Sequence, residues 1–219
     1  MTRRRQAARS RQVKAPGRYH HGDLRRALIE ASIELIAEEG VSSLTLRGVA
    51  RRLGVSHAAP RHHFADKTEL LAAIAIEGFE AFAKAQQEAL IGITDPWDRF
   101  RCLGMTYVRF AVENPPRFRV MFSRELAEAS PPDLGDYRKL AGQFLMDVAA
   151  EAMATRGEAD EERVRTAAIA AASLVHGLVM FRLDGTLRHL TGIETSEDEF
   201  DTIACAVVDF IVTAGERGL

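Results

Sequence analysis

The sequence predicts an all-α protein of about nine helices, and three observations carry that expectation. Apolar residues recur at three- and four-residue intervals along most of the chain, strict apolar alternation is absent, and the interruptions hold capping residues, glycines or proline pairs. With 219 residues, 47% of them hydrophobic, the chain is long enough to bury a substantial core. No apolar run approaches the roughly 20 residues that span a bilayer, and the basic N-terminus is not followed by an apolar segment, so a cytoplasmic protein without membrane contact is expected. Cys102 and Cys205 lack C-x-x-C spacing and fall in apolar helical patterns, which reads as two buried free thiols.

Residues 1–19 carry Arg3, Arg4, Arg5, Arg9, Arg11, Lys14 and Arg18 with no acid and little to bury. They read as a disordered basic arm, either a solubilising tail or a strand that follows phosphates or enters a minor groove. Adjacent His20 and His21 cannot easily converge on one metal ion without further ligands. Asp23 opens the first helix, with Leu24, Leu28, Ala31 and Leu35 as its apolar stripe and Gly40 as its end. Two short helices follow and complete a head over residues 20–66. Asp66, with Glu69 as capping-box partner, opens a long helix to about Leu90. Thr94-Asp95-Pro96 breaks the chain before a helix from Trp97 to Glu113. Asn114-Pro115-Pro116 is a stop, followed by a short helical piece carrying Phe118, Val120, Met121 and Phe122. After Ser130-Pro131-Pro132 come helices over 134–155 and 161–183. A last helix over 197–217 is capped by Ser196 with Glu199. Residues 67–219 thus make a second, larger helical domain.

The head contains the most specific stretch, Thr45 to Leu71. Thr45 can cap a helix whose Leu46, Val49, Ala50 and Leu53 form one stripe; Gly54 permits a sharp reversal, Val55 plugs the corner, and Ser56 caps a helix from His57 to His63. That order is a helix-turn-helix signature, in which the second helix lies in a DNA major groove and the first crosses the phosphate backbone. Charge agrees. Residues 1–70 hold 14 Lys+Arg against 7 Asp+Glu, whereas the remainder holds 15 against 24, a basic head on an acidic body. The candidate DNA-binding residues are Thr45, Arg47, Ser56, His57, Ala58, Ala59, Arg61, His62, His63 and Lys67.

Leu53-Gly54-Val55-Ser56, His63-Phe64-Ala65-Asp66-Lys67 and His21-Gly22-Asp23-Leu24-Arg25 resemble the N-terminal domain of the tetracycline-repressor (TetR) family of bacterial transcription regulators. His176-Gly177 is similar to a pair in one C-terminal subfamily, although Ser173 stands where that subfamily has Trp. Arg61 replaces a usual Tyr and Pro60 a usual apolar residue. The resemblance implies that Thr45, Arg61, His63 and Lys67 meet the phosphate backbone, whereas Arg47, His57, Ala58, Ala59 and His62 face the groove. It also implies a homodimer on palindromic operator DNA, released by a small effector, and no cofactor.

In the body, Phe110, Met121, Phe122, Met146, His176 and Met180 sit on separate helices and are expected to share a cavity for a mainly apolar effector. His176 lies in an apolar run and reads either as a core histidine or as the cavity's polar group. Small residues Ala167, Ala168, Ala171, Leu174, Val175 and Leu178, with Phe200, Ile203, Ala204, Val207, Phe210, Ile211 and Ala214, form stripes expected either to pair two copies or to bury within one. No nucleophile-elbow, H-E-x-x-H or phosphate-loop pattern occurs, so an enzyme is not expected. The alternative to a ligand-responsive regulator is a DNA-bound structural or interaction protein without small-molecule input, which a fully packed body would support.

Overall fold

A computed structural model describes residues 21–129, 131–192 and 196–217, which form ten α-helices and one 3-10 turn. The head comprises α1 (His21–Glu39), α2 (Leu46–Leu53) and the 3-10 turn (Ala59–His62). Helix α3 (Lys67–Ala89) leads out of it into α4 (Pro96–Glu113), α5 (Pro115–Met121), α6 (Arg124–Ala129), α7 (Pro132–Ala154), α8 (Glu161–Leu183), α9 (Thr186–Thr191) and α10 (Glu197–Arg217). Among the described residues there is no strand, as the all-α expectation required. The basic arm over 1–19 lies outside the described residues.

Each head element forms for a local reason. Thr45 Oγ1 accepts from Gly48 N at 3.0 Å, a cap worth about 1 kcal/mol, and opens α2. Gly54 closes α2 at φ +68°, where a Cβ would be strained, and its N–H meets the Arg51 carbonyl. Leu28, Ile29 and Ile36 of α1 bury against Leu44, Val49 and Phe64, and Ser32 Oγ donates to the Leu28 carbonyl at 2.6 Å, which satisfies a buried hydroxyl.

The recognition element differs from expectation. The predicted helix from His57 to His63 is a 3-10 turn over Ala59–His62, and Ser56 does not cap it through its side chain. Pro60 is the cause: in an α-helix its N–H would bond the Ser56 carbonyl, and it has none. Ala59 N–H takes that carbonyl instead at 3.0 Å, which winds the backbone one residue tighter. Pro60 itself is buried and anchors the turn.

Prolines elsewhere start helices as well as ending them. Pro96, Pro115 and Pro132 sit at the first positions of α4, α5 and α7, where a missing N–H costs nothing, so α5 and α7 begin earlier than the sequence patterns suggest. Helices α6 and α9 have no counterpart in those patterns; each has six residues, too few for a period to be legible. In the body α3 packs on α4, α5 and α7, and α4 packs in turn on α7, α8 and α10. Helix α8 is long and apolar enough, by length and composition, to cross a membrane, which corrects the reading that no run approaches that length. Here its alanines let α4, α7 and α10 approach closely. Cys205 is exposed on α10 rather than buried, and Cys102 is half-buried with its Sγ 3.3 Å from the Ala89 carbonyl.

Candidate nucleic-acid interface and ligand cavity

Thr45, Arg47, Ser56, His57, Ala58, Arg61 and His62 are exposed around the turn, whereas Ala59, His63 and Lys67 are half-buried. Arg47 and Arg51, four residues apart, share one face of α2, and neither they nor Arg61 make a side-chain hydrogen bond or ion pair with a described residue. Arg51 was missed in the sequence; its spacing from Arg47 was the available signal. Arg52 points the other way. It forks onto both Glu38 carboxylate oxygens at 2.6 and 2.7 Å and reaches Glu34 at 3.0 Å, clamping α2 to α1. The hydrogen bonds from Arg52 hold the Glu38 carboxyl below its usual range, and those to Glu38 raise the guanidinium's own pKa. Arg52 is therefore occupied by protein carboxylates. Lys67 Nζ donates to the Ser42 carbonyl at 3.1 Å and lies 4.0 Å from Glu125 Oε1 of α6, which leaves ammonium protons for a further acceptor.

The body holds a cavity of about 640 Å³, partly open to solvent, between α3, α4, α7, α8 and α10, with Met121 of α5 and Ala127 of α6 in its wall. Met121, Phe122 and His176 line it as expected, together with Phe79, Phe82 and Leu103. Phe110, Met146 and Met180 do not. Phe110 packs against Phe82 with tilted rings, centroids 5.1 Å apart, and the two methionines pack against the core elsewhere. Helical phase explains Met146: the adjacent Leu145 lines the cavity, so the next side chain turns about 100° away. His176 Nδ1 and Tyr107 Oη are 2.7 Å apart, and the Phe122 ring centroid lies 5.0 Å from the imidazole. Burial raises the Tyr107 pKa and lowers that of His176, so the pair is neutral at pH 7. Since the unfolded chain binds the His176 proton more readily, this residue's contribution to stability is present above pH 6.5 and falls as pH drops through the range just below it. His176→Phe should remove that part of the slope, which urea titrations of both proteins from pH 5 to 7 measure.

A basic edge presented by a buried-anchor turn, on a helical body with an apolar cavity, defines a helix-turn-helix DNA-binding regulator. Residues 28–74 match the family model described as bacterial regulatory proteins, tetR family, and residues 100–207 match the tetracyclin repressor-like C-terminal domain. The chain belongs to the TetR family of transcriptional regulators and is not an enzyme. It is 36% identical over 75 residues to the HTH-type transcriptional repressor Rv1474c of Mycobacterium tuberculosis, a match spanning 34% of this chain and 40% of that one. With the HTH-type transcriptional regulator BetI of Cronobacter sakazakii it shares 27% identity over 156 residues, 70% of this chain and 76% of the relative. A structure from Rhodococcus sp. RHA1, described as a protein with unknown function, superimposes with a TM-score of 0.73 at 28% identity, covering 90% of this chain and 98% of that one. The regulator PfmR of Thermus thermophilus shares the fold with a TM-score of 0.65 at 24% identity, covering 85% and 97%.

Proposed function

We propose that this regulator is a cytoplasmic repressor that binds a palindromic operator as a homodimer and releases it when a small, mainly apolar effector enters the body. The observation that carries the reading is a pair: exposed Arg47, Arg51 and Arg61, which bond no described residue, and a mainly apolar cavity of about 640 Å³ in the body. That cavity favours an effector over a purely structural role. In this reading Arg61 and Lys67, with Thr45, His63 and the added Arg51, position the head on phosphates, whereas Arg47, His57, Ala58, Ala59 and His62 read base edges beside Ser56. Arg61→Ala or Lys67→Ala should weaken all DNA sites about equally and lower the logarithmic salt slope by roughly 0.9 for each phosphate lost. Arg47→Ala and His62→Ala should instead relax base preference at one position per half-site, by about 1–3 kcal/mol. Fluorescence titrations of operator and mutated operators over a salt series test both. Altered base preference with an unchanged slope in Arg61→Ala would assign that residue to base reading and refute its role on phosphate.

A further inference from the structure

The polar groups of the cavity specify more about an occupant than its size does. Gln86 of α3 is 5% exposed, lines the cavity, and makes no side-chain hydrogen bond with a described residue. Among the described residues no sealed side-chain nitrogen or oxygen lacks a partner, so the Gln86 amide opens onto the cavity itself. A buried amide so placed takes its hydrogen bonds from whatever fills the cavity, water or ligand, and so offers an occupant a polar anchor. Among the described residues of the lining, Arg138 of α7 is the one charged side chain, and there is no Asp or Glu. Its guanidinium makes a single long bond, 3.4 Å to the Met121 carbonyl, and no ion pair with a described residue. Of the other polar groups in the lining, Tyr107 Oη and His176 Nδ1 bond each other and Ser123 Oγ accepts from the Leu126 N–H at 3.4 Å, whereas His176 Nε2 and the exposed Ser173 hydroxyl make no bond with a described residue.

Geometry separates the two groups. The Arg138 guanidinium meets the carbonyl of Met121, whose Sδ packs on α3 at Gly78, 2.7 Å from where a Cβ would lie. Gln86 lies eight residues further along α3, about 12 Å at 1.5 Å per residue. Resting on the reading that the cavity admits an effector, we propose that this effector is an elongated apolar anion, with a carboxylate on Arg138 and a hydrogen-bonding group such as a hydroxyl at its far end on Gln86. The planar guanidinium suits a carboxylate, which it can bind through two parallel bonds. A quaternary ammonium would find aromatic faces at Phe79 and Phe122, but it would also meet the uncompensated charge of Arg138.

Calorimetric titration of the full chain with decanoate, decanol, decyltrimethylammonium and ω-hydroxydecanoate tests this. Decanoate should bind about tenfold tighter than decanol, as one hydrogen bond to a charged group warrants, and the ammonium most weakly. The ω-hydroxy acid should bind several-fold tighter than decanoate. Arg138→Met should erase the first preference and Arg138→Lys retain part of it, while Gln86→Leu erases the second; circular dichroism checks that each variant is folded. If a variant does not fold, the four wild-type titrations still decide. Decanol or the ammonium binding as tightly as decanoate, a preference that survives Arg138→Met, equal binding of the two acids, or no saturable binding at all overturns the proposal. Arg138-dependent binding of decanoate that leaves an operator complex intact would keep the anion site and refute the effector reading. Release of operator by a neutral apolar compound without charge preference would do the reverse.

Discussion

Leu174→Glu combined with Phe210→Glu is expected to give a folded monomer that has lost specific operator binding. Regulators of this family form dimers, and a single head offers too few contacts for tight specific binding. The outward faces of α8 and α10 leave Ile169 59%, Leu174 46%, Phe181 43% and Phe210 68% exposed, an apolar surface of the kind that two-fold pairing covers. Leu174 and Phe210 also border a second cavity of about 410 Å³ beside Trp97, a notch that a partner's side chains can fill. Unpaired carboxylates buried at the centre of such an interface are strongly unfavourable, whereas on the free monomer they point into water. Operator affinity should fall about a thousandfold, the gap between specific and non-specific binding at physiological salt. Sedimentation velocity and operator titration measure both effects. A double variant that sediments as a dimer would move the interface elsewhere.

Leu174 and Phe210 face outward for a reason that lies in tertiary packing and not in the local sequence. Periodicity located α8 and α10 and their apolar character, but not which part of each apolar stripe turns outward. Ala168, Ala171, Val175, Leu178, Phe200 and Ala204 are buried within one chain, so a charge at Ala171 would disrupt folding rather than association. The distinction depends on the rotation of each helix about its axis, which contacts with α4 and α7 set and no single helix encodes. The head was more legible because its determinants are local: a cap at Thr45, a positive φ at Gly54, a capping box at Asp66 and Glu69. The departure at its recognition element was also local, since Pro60 removes the N–H an α-helix needs and yields a 3-10 turn. The cavity was located by which helices carry aromatic and sulfur side chains, and Met121, Phe122 and His176 line it. Gln86 and Arg138 escaped because a polar residue on an amphipathic helix ordinarily faces water, and only tertiary packing turns these toward the interior.

The second large effect concerns release. Helix α3 is the covalent route from cavity to head, but the packed route runs through α5 and α6. Phe122 and Ser123 form part of the cavity wall, and Glu125 of α6 stands 4.0 Å from Lys67 Nζ, which is itself bound to the Ser42 carbonyl of the head at 3.1 Å. Helix α5 packs on both α1 and α3, and Arg117 meets Glu77 at 3.0 Å. The contact with α3 is tight at Gly78, where a Cβ would lie 2.7 Å from Met121 Sδ. An occupant that displaces Met121 or Phe122 is therefore expected to press on α3 and α1 together and to change the tilt of the head. For the effector to weaken operator binding about a hundredfold, it must favour the non-binding state by about 2.7 kcal/mol, because equal affinity for both states shifts nothing. Linkage makes the effect reciprocal, so saturating operator must weaken effector binding by the same factor. Glu125→Gln removes one charge from the Lys67 contact and should reduce that factor while leaving effector affinity for the free protein nearly unchanged. Calorimetric titration of effector into wild type and variant, each with and without operator, measures the factor twice. Equal effector affinity in the presence and absence of operator would mean that the cavity binds without moving the heads, and an unchanged factor in Glu125→Gln would return the coupling to α3 alone.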